Sequence, residues 1–368
     1  MGADALDRIT VRRLEIPLAV PYRLAFGAVE RFDTIVAECV ARDGRIGLGE
    51  ATILTGYTDE TVVDSWRAAR DIAGELVTLD SGSGRRRLGQ IAAERPFIAT
   101  AFGTALEMLE HSPHLELDRE TPVPILGLLN ASGEEAMSRE LEGLLATGYR
   151  TLKVKVGTDV AKDVAHVRTA QRLVSGRARI RIDANQGYSA EDGVAFVRAL
   201  DPSGVELFEQ PCAAGDWDAH LAVASASGVP MMLDESIYGL ADIERAAELR
   251  AARFVKLKLM KLGTLRALAQ ALERIRALGM TPVLGNGVAC DLGCWMEACV
   301  AARHVDNAGE MNGFLKARAQ LLSEPLEVRE AAIRLEPRFA PRLAVERLEP
   351  FTIATHHESG RSYRIRRA

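Results

Sequence analysis

The chain has 368 residues, is 48% hydrophobic and 26% charged, and carries a formal net charge of −5. This is the balance of an ordinary water-soluble globular protein, and without a clustered basic face it offers no nucleic-acid surface. No run of 18 or more apolar residues occurs and the start, MGADALDRITVRRLEIPL, lacks an apolar signal core, so no membrane association and a cytoplasmic location are expected. Gly2 does not make a myristoylation site, because Leu6 stands where Ser or Thr is wanted. The five cysteines, Cys39, Cys212, Cys290, Cys294 and Cys299, are odd in number, irregularly placed and without C-x₂-C pairs. They are expected to be buried small hydrophobes, neither a disulfide framework nor a zinc site. Arg85–Arg87 and the arginine-rich tail, Arg361 to Arg367, read as solvated.

Residues 1–120 predict an α+β domain. ITVRRLEIPL, DTIVAECVARDG and RIGLGEAT read as strands, with Asp43-Gly44 as a hairpin turn. TVVDSWRAARDIAGELV and FIATAFGTALEMLEHSP then show helical spacing. Strands followed by helices, instead of alternating with them, give that class.

From residue 121 to 324 the rhythm alternates. Eight β segments are predicted, at PVPILGLLN, TLKVKVG, ARIRIDAN, VELFEQP, PMMLDES, RFVKLKLM, TPVLGN and AGEMNGF. Nearly all are separated by helical stretches, several closed by glycine, as at Gly148 and Gly176. No G-x-G-x-x-G follows any strand. Eight consecutive βα units favour a closed (β/α) barrel over an open doubly wound sheet. Residues 325–368, with Pro337, Pro341 and Pro350, are expected to pack back on the N-terminal domain and complete it.

The chemistry-bearing residues fall where such a barrel places function, at the C-terminal ends of its strands. Lys153 and Lys155 in TLKVKVG alternate with apolar residues, so both ammonium groups project to one face. Lysine is almost never fully buried unless paired. Asp183, Glu209 and Asp234 end three successive strands at intervals of 26 and 25 residues. Three converging carboxylates on neighbouring strands repel one another, and a hard divalent cation resolves the conflict; an all-oxygen site suits Mg²⁺. Singly, each acid could cap a helix or pair with an arginine. RFVKLKLMK repeats the lysine pair at Lys256 and Lys258. Lys155 and Lys258 are expected to face one another across the barrel mouth. Such a lysine becomes a base only if its pKa falls, which a cation and the neighbouring Lys153 and Lys256 would favour. The implied reaction removes the proton α to the carboxylate of a small-molecule substrate through an enediolate, with return of the proton from either side.

TLKVKVG, RIDANQGYS, ELFEQP, MLDES and KLKLMKLGTL, in this order, resemble the barrel motifs of the enolase superfamily, in its muconate-lactonizing-enzyme-like subgroup. The resemblance spans the chain and implies an α/β fold, a modified TIM barrel, (β/α)₇β, under an α+β capping domain. It implies Asp183, Glu209 and Asp234 as Mg²⁺ ligands and Lys155 and Lys258 as the opposed acid/base pair. Lys153 would approach the substrate carboxylate or tune Lys155, with Asn185 and Glu235 in support. Capping loops Leu24 to Val29 and Ile53 to Asp59 would read substrate shape, with Phe26 and Tyr57 as candidates. Related proteins are often dimers or octamers, so a homo-oligomer is expected. The chain departs from the pattern at three places. Members that epimerise dipeptides usually carry Asp-x-Asp at the eighth strand, where GEMNG stands here. LGNGVACDLGCWMEA replaces the Gly-Gly-Met-x-Glu run seen after the seventh strand in some racemases and synthases, so Asn286, Asp291 and Glu310 are candidates to orient an unfamiliar substrate. Lys256 occupies a place where a small polar residue often stands.

The leading expectation is a Mg²⁺-dependent racemase or epimerase acting on an amino acid derivative. A cycloisomerase, or a dehydratase acting for example on a hydroxylated cyclic amino acid, would use the same enediolate. A Schiff-base aldolase would use a barrel lysine covalently and ignore EDTA. A non-catalytic binding barrel would be expected to have lost one of these acids or lysines.

Overall fold

Long alternating stretches of β-branched and apolar residues open the chain as an antiparallel sheet. A computed structural model describes residues 5–24, 27–56 and 58–360. Strands β1 (Leu6–Leu24), β2 (Gly27–Ala41) and β3 (Ile46–Ile53) pair in sequence, and Arg42 to Arg45 make the expected tight turn. β3 is buried on both faces from Gly47 onward, because the helix Pro96–Leu109 lies against it. Gly47 and Gly49 permit that approach: an added Cβ would lie 1.9 Å from Ala105 O and 2.0 Å from Ala101 O. Two further helices, Val62–Leu76 and Ser81–Ile91, complete this layer. The second carries Arg85–Arg87, and Arg87 pairs with Glu75 across the helix pair.

The barrel strands follow. β4 (Thr121–Pro124) and β5 (Gly127–Leu128) stand where one strand was expected. Pro122 and Pro124 have no N–H to donate, so that stretch cannot join a central ladder and instead pairs at the barrel's base. β6 (Thr151–Lys155), β7 (Arg179–Asp183), β8 (Val205–Glu209), β9 (Met231–Leu233), β10 (Phe254–Leu257) and β11 (Thr281–Leu284) continue from β5 as one parallel seven-stranded sheet. Among the described residues seven helices of ten to fifteen residues follow these strands in turn, from Glu134–Ala146 to Asp291–His304. The short helix Leu259–Leu262 is an addition after β10. Closure comes from residues 309–310, which form the eighth β segment. Gly309 N donates to Pro124 O (3.0 Å), Leu126 N to Gly309 O (2.8 Å) and Glu310 N to Leu284 O (3.0 Å), stitching the first strand to the seventh. The architecture is a (β/α)₇β modified TIM barrel with an α+β cap.

The C-terminal segment divides between the two parts. β12 (Val328–Arg329) and β13 (Ala332–Leu335) join β4, while β14 (Thr352–Ser359) pairs antiparallel with β1 from Arg8↔Ser359 to Leu14↔Thr352. All five cysteines are free and buried. No helix among the described residues is long and apolar enough to cross a membrane.

Candidate active site

Strand alternation delivers the lysines inward. On β6, Leu152 and Val154 pack outward against the helical layer while Lys153 and Lys155 enter the barrel; Lys153 is 2% exposed and the Lys155 side chain 27%. Asp183 and Glu209 are the last residues of β7 and β8, and Asp234 follows β9 directly. Lys258 comes directly after β10 and serves as the N-cap residue of the short helix. All three acids are essentially fully buried.

Ammonium groups stand between the carboxylates. Lys153 Nζ lies 2.8 Å from each of Asp183 Oδ2, Glu209 Oε2 and Glu310 Oε2. Lys256 Nζ lies 3.1 Å from Glu209 Oε1 and 3.4 Å from Asp234 Oδ2, and it donates to Glu310 Oε2. Lys258 Nζ is 2.8 Å from Asp234 Oδ2 and Lys261 Nζ is 3.0 Å from Asp234 Oδ1. Lys155 Nζ is 3.5 Å from Asp183 Oδ2 and donates to Asn185 Oδ1.

These neighbours set the protonation states. Burial works against the charge of Asp234, but Lys258, Lys261 and Lys256 outweigh it and hold the carboxyl well below its usual range. Glu310 is held down in the same way by Lys153 and Lys256, and Asp183 by Lys153 and Lys155. Glu209 goes the other way: burial and Asp183 push it up to about 7 despite both lysines. Lys155 is raised, because Tyr22 and Asp183 overcome the effect of burial. This differs from the depressed value expected of a base, and the cause is the anionic set that faces it. Lys261, which sequence reasoning passed over, is lowered to about 8 by its complete burial.

A set of neutral partners fixes the acids. Gln210, with φ +38°, accepts from Asp234 N (2.9 Å) and Ser236 N (3.2 Å) through Oε1, and its amide nitrogen donates to Ser236 Oγ (2.7 Å). Asn185, with φ +41°, donates to Glu235 Oε1 (3.0 Å), and its backbone N–H donates to Asp183 Oδ1 (2.9 Å). The turn after β6 is pinned by Asp163, which accepts from the backbone N–H groups of Gly157, Thr158 and Asp159 and from Tyr188. The glutamine stands beside its acid in ELFEQP, so adjacency was the available signal.

A cavity of about 750 Å³ opens over this cluster. Of the residues expected at the site, Lys153, Lys155, Asp183, Asn185, Asp234, Glu235, Lys256, Lys258, Asn286 and Glu310 line it. Glu209 lies beneath them, reached through Lys153 and Lys256. Asp291 is not brought there. Its carboxylate accepts from Leu321 N (2.6 Å) and Leu322 N (2.9 Å) at the start of the helix Asp291–His304, so its acceptors are spent on a loop. Phe26 and Tyr57 lie outside the described residues. Among the described residues Tyr22 presents an aromatic ring to the site, its centroid 5.7 Å from Lys155 Nζ and 4.6 Å from Lys316 Nζ. It lies two residues before the end of the first long strand, beside the proposed capping loop, and only its proximity in sequence to Leu24–Val29 could have flagged it.

Asp183, Glu209 and Asp234 form an all-oxygen donor set of three buried carboxylates at the ends of neighbouring strands. That donor chemistry fits a hard divalent cation. Among the described residues no three acidic, histidine or cysteine side chains are already gathered at coordinating distance; lysine ammonium groups occupy the space between them.

Residues 136–341 match the profile of the family described as enolase C-terminal domain-like. The L-Lys-D/L-Arg epimerase of Methylococcus capsulatus is 32% identical over 331 residues, covering 83% of this chain and 90% of that protein. Muconate lactonizing enzyme from Pseudomonas fluorescens, solved with muconolactone, superposes with a TM-score of 0.86 at 24% identity, over 95% of this chain and 100% of that one. A dipeptide epimerase from Cytophaga hutchinsonii, solved with Mg and D-Ala-L-Val, gives 0.86 at 19% identity, over 96% and 99%. The chain therefore belongs to the enolase superfamily, in its muconate-lactonizing-enzyme-like subgroup. It is an enzyme of the isomerase class.

Proposed function

We propose that the chain is a Mg²⁺-dependent racemase or epimerase that removes the proton α to the carboxylate of an amino acid derivative and returns one from the opposite side. The observation that carries this reading is the placement of Lys155 on β6 and Lys258 after β10. These are the second and sixth of eight segments, hence opposed across the barrel, and both line the cavity that holds Asp183 and Asp234. Asp183, Glu209 and Asp234 would hold the ion. Bound Mg²⁺ would supply positive charge beside the substrate carboxylate and so acidify the adjacent proton. A base must start neutral and an acid charged. Each turnover thus moves one proton from substrate to one lysine and another from the second lysine to substrate. Lys153 faces the same space and offers its ammonium to the carboxylate. Asn185 holds Lys155 through its side-chain oxygen.

Charge is graded along the cavity. Lysines 153, 155, 256 and 258 lie within beside Asp183, Asp234, Glu235 and Glu310, so a cation held by the acids would leave the interior net positive, while the exposed residues Asp59 and Glu94 add only negative charge to the lining. This supports a substrate entering carboxylate first, with a cationic or amide end outward, and the Methylococcus relative acts by name on a cationic dipeptide. Solvent-deuterium exchange followed by NMR, over N-acyl amino acids and dipeptides with cationic or neutral second residues, tests it. Exchange with inversion is expected. No exchange into any carboxylate substrate would sink the reading.

A second reading, cycloisomerase or dehydratase, is favoured by one observation. Glu310, the acid of the eighth segment, is already gripped by Lys153 and Lys256, and Asn312 Oδ1 accepts from Lys316 (2.9 Å). That end of the site therefore has little anionic charge to offer a free substrate ammonium. Loss of water or ring closure in the same NMR experiment would identify this case.

A further inference from the structure

Every second strand of the barrel sends one charged side chain into the same level of its interior. Lys153 is paired in register with Arg181, and Arg181 with Leu207, two residues before Glu209. Glu209 is paired with Met232, and Met232 with Phe254, two residues before Lys256. An advance of two residues on each alternate strand is the stagger that brings side chains of an eight-stranded barrel into one layer. Glu310, on the closing segment, is the fourth member. Such layers are normally branched aliphatic residues. Here the layer is Lys153, Glu209, Lys256 and Glu310, alternating in sign, each no more than 3% exposed.

Contacts run right around it. Glu209 gives Oε2 to Lys153 at 2.8 Å and Oε1 to Lys256 at 3.1 Å, and Glu310 Oε2 is shared by the same two lysines. Four buried charges are tolerable only because each touches two of opposite sign; removing one leaves an uncompensated neighbour. Lys153 and Glu209 already have roles in the function proposed above. Lys256 and Glu310 do not, as a pair, and Lys256 also reaches Asp234 Oδ2 at 3.4 Å. It thus touches two of the three acids assigned to the ion.

We infer that Lys256 and Glu310 act as one compensating pair that sets the charge at the cation site: Lys256 opposes a divalent ion among Asp183, Glu209 and Asp234, and Glu310 offsets Lys256. Both are positioning residues, and the inference rests on the Mg²⁺ reading. Its consequence is a pair of effects with opposite signs. Neutralising the lysine must tighten cation binding, neutralising the glutamate must weaken it, and doing both must nearly restore it. A merely structural role would weaken binding in both single variants.

The test is calorimetric titration of EDTA-stripped protein with Mg²⁺ alone, checking the fold of each variant by circular dichroism. Lys256→Gln keeps a hydrogen-bond donor for Glu310 and should bind Mg²⁺ tighter by about tenfold or more, since a unit charge some ~5 Å from a divalent ion exerts that much even under water-like screening. Glu310→Gln should bind weaker by about tenfold, the double variant should lie within about threefold of wild type, and Lys256→Arg, which keeps the charge, likewise. If Lys256→Gln does not fold, Lys256→Met reads the same sign. Unchanged or weaker binding in the lysine variant, while wild type binds Mg²⁺, overturns the pair and leaves the proposed function standing. Absence of Mg²⁺ binding in wild type and in the lysine variant overturns both.

Discussion

Two groups of buried carboxylates lie close together in this protein and are handled in opposite ways. At the barrel mouth, Asp183, Asp234 and Glu310 face lysine ammonium groups, and all three are held ionised below their ordinary range against the effect of burial. Behind Asn286 and Met260, where the cap meets the barrel, Glu50 and Glu297 share a cavity of about 20 Å³ and receive mainly backbone N–H groups. Glu50 Oε1 accepts from Cys290 N (2.7 Å) and Glu297 Oε1 from Leu259 N (2.7 Å), while the second oxygen of each is buried without a hydrogen bond. Burial then wins: Glu50 is raised well above its usual value and Glu297 to about 7. Depth is similar in the two groups. Whole charges keep Asp183, Asp234 and Glu310 ionised, whereas one or two amide dipoles do not hold down Glu50 or Glu297; Glu209 is the exception among the lysine-matched acids, because burial and the neighbouring Asp183 outweigh its two lysines.

The largest expected effects lie in the lysine-matched group. EDTA should abolish turnover and added Mg²⁺ restore it; activity that persists through exhaustive chelation would detach the three acids from any metal role. Lys155→Ala and Lys258→Ala should each lower kcat by about 10³-fold, within the range for a lost general acid or base, while the far-ultraviolet circular dichroism stays that of wild type. Exchange of the α-proton with solvent sharpens this, because each variant should lose exchange from one enantiomer before the other. Equal residual exchange from both would break the assignment of one lysine to each side.

Much of the lysine-matched group was legible in the sequence because its members sit on strands, where period-two alternation fixes the face of each side chain. Lys153, Asp183, Glu209, Asp234 and Lys258 could be placed from short apolar runs alone. What was not legible follows from geometry that sequence spacing does not encode. Asp291 reads as part of an unusual post-strand motif, yet one residue into a helix its carboxylate turns to the backbone of residues 321–322. The binding of Glu310 to Lys256 needs the barrel's stagger, which links residues 54 apart. PVPILGLLN reads as one strand until its prolines are counted as missing donors, and the helix Ser81–Ile91 is hidden by glycines that lower helix propensity.

The amide-only group predicts a stability signature. Glu297 binds its proton more tightly folded than unfolded, so the folded state holds more protons between about 4.5 and about 7, and stability must fall as pH rises across that window. The shift corresponds to about 3 kcal/mol, with Glu50 contributing in the same direction. Glu297→Gln keeps an oxygen for Leu259 N and cannot ionise. In urea unfolding from pH 4.5 to 7.5, its stability relative to wild type should improve steadily with pH. Parallel curves for the two proteins would show that Glu297 is ionised throughout, and the contrast between the two groups would fail.

The smallest effect concerns Asp291, which belongs with the amide-only group although its motif suggested substrate contact. Burial raises its pKa, and the N–H groups of Leu321 and Leu322 oppose the rise, one on each oxygen. Asn at this position keeps one acceptor and turns an NH₂ toward the other N–H, which is left unpaired. Asp291→Asn should therefore cost about 1–2 kcal/mol of stability by urea unfolding, with kcat and KM unchanged at saturating Mg²⁺. A raised KM with stability intact would instead place this carboxylate in contact with substrate, and would move it from the backbone-bound group to the site beside the lysines.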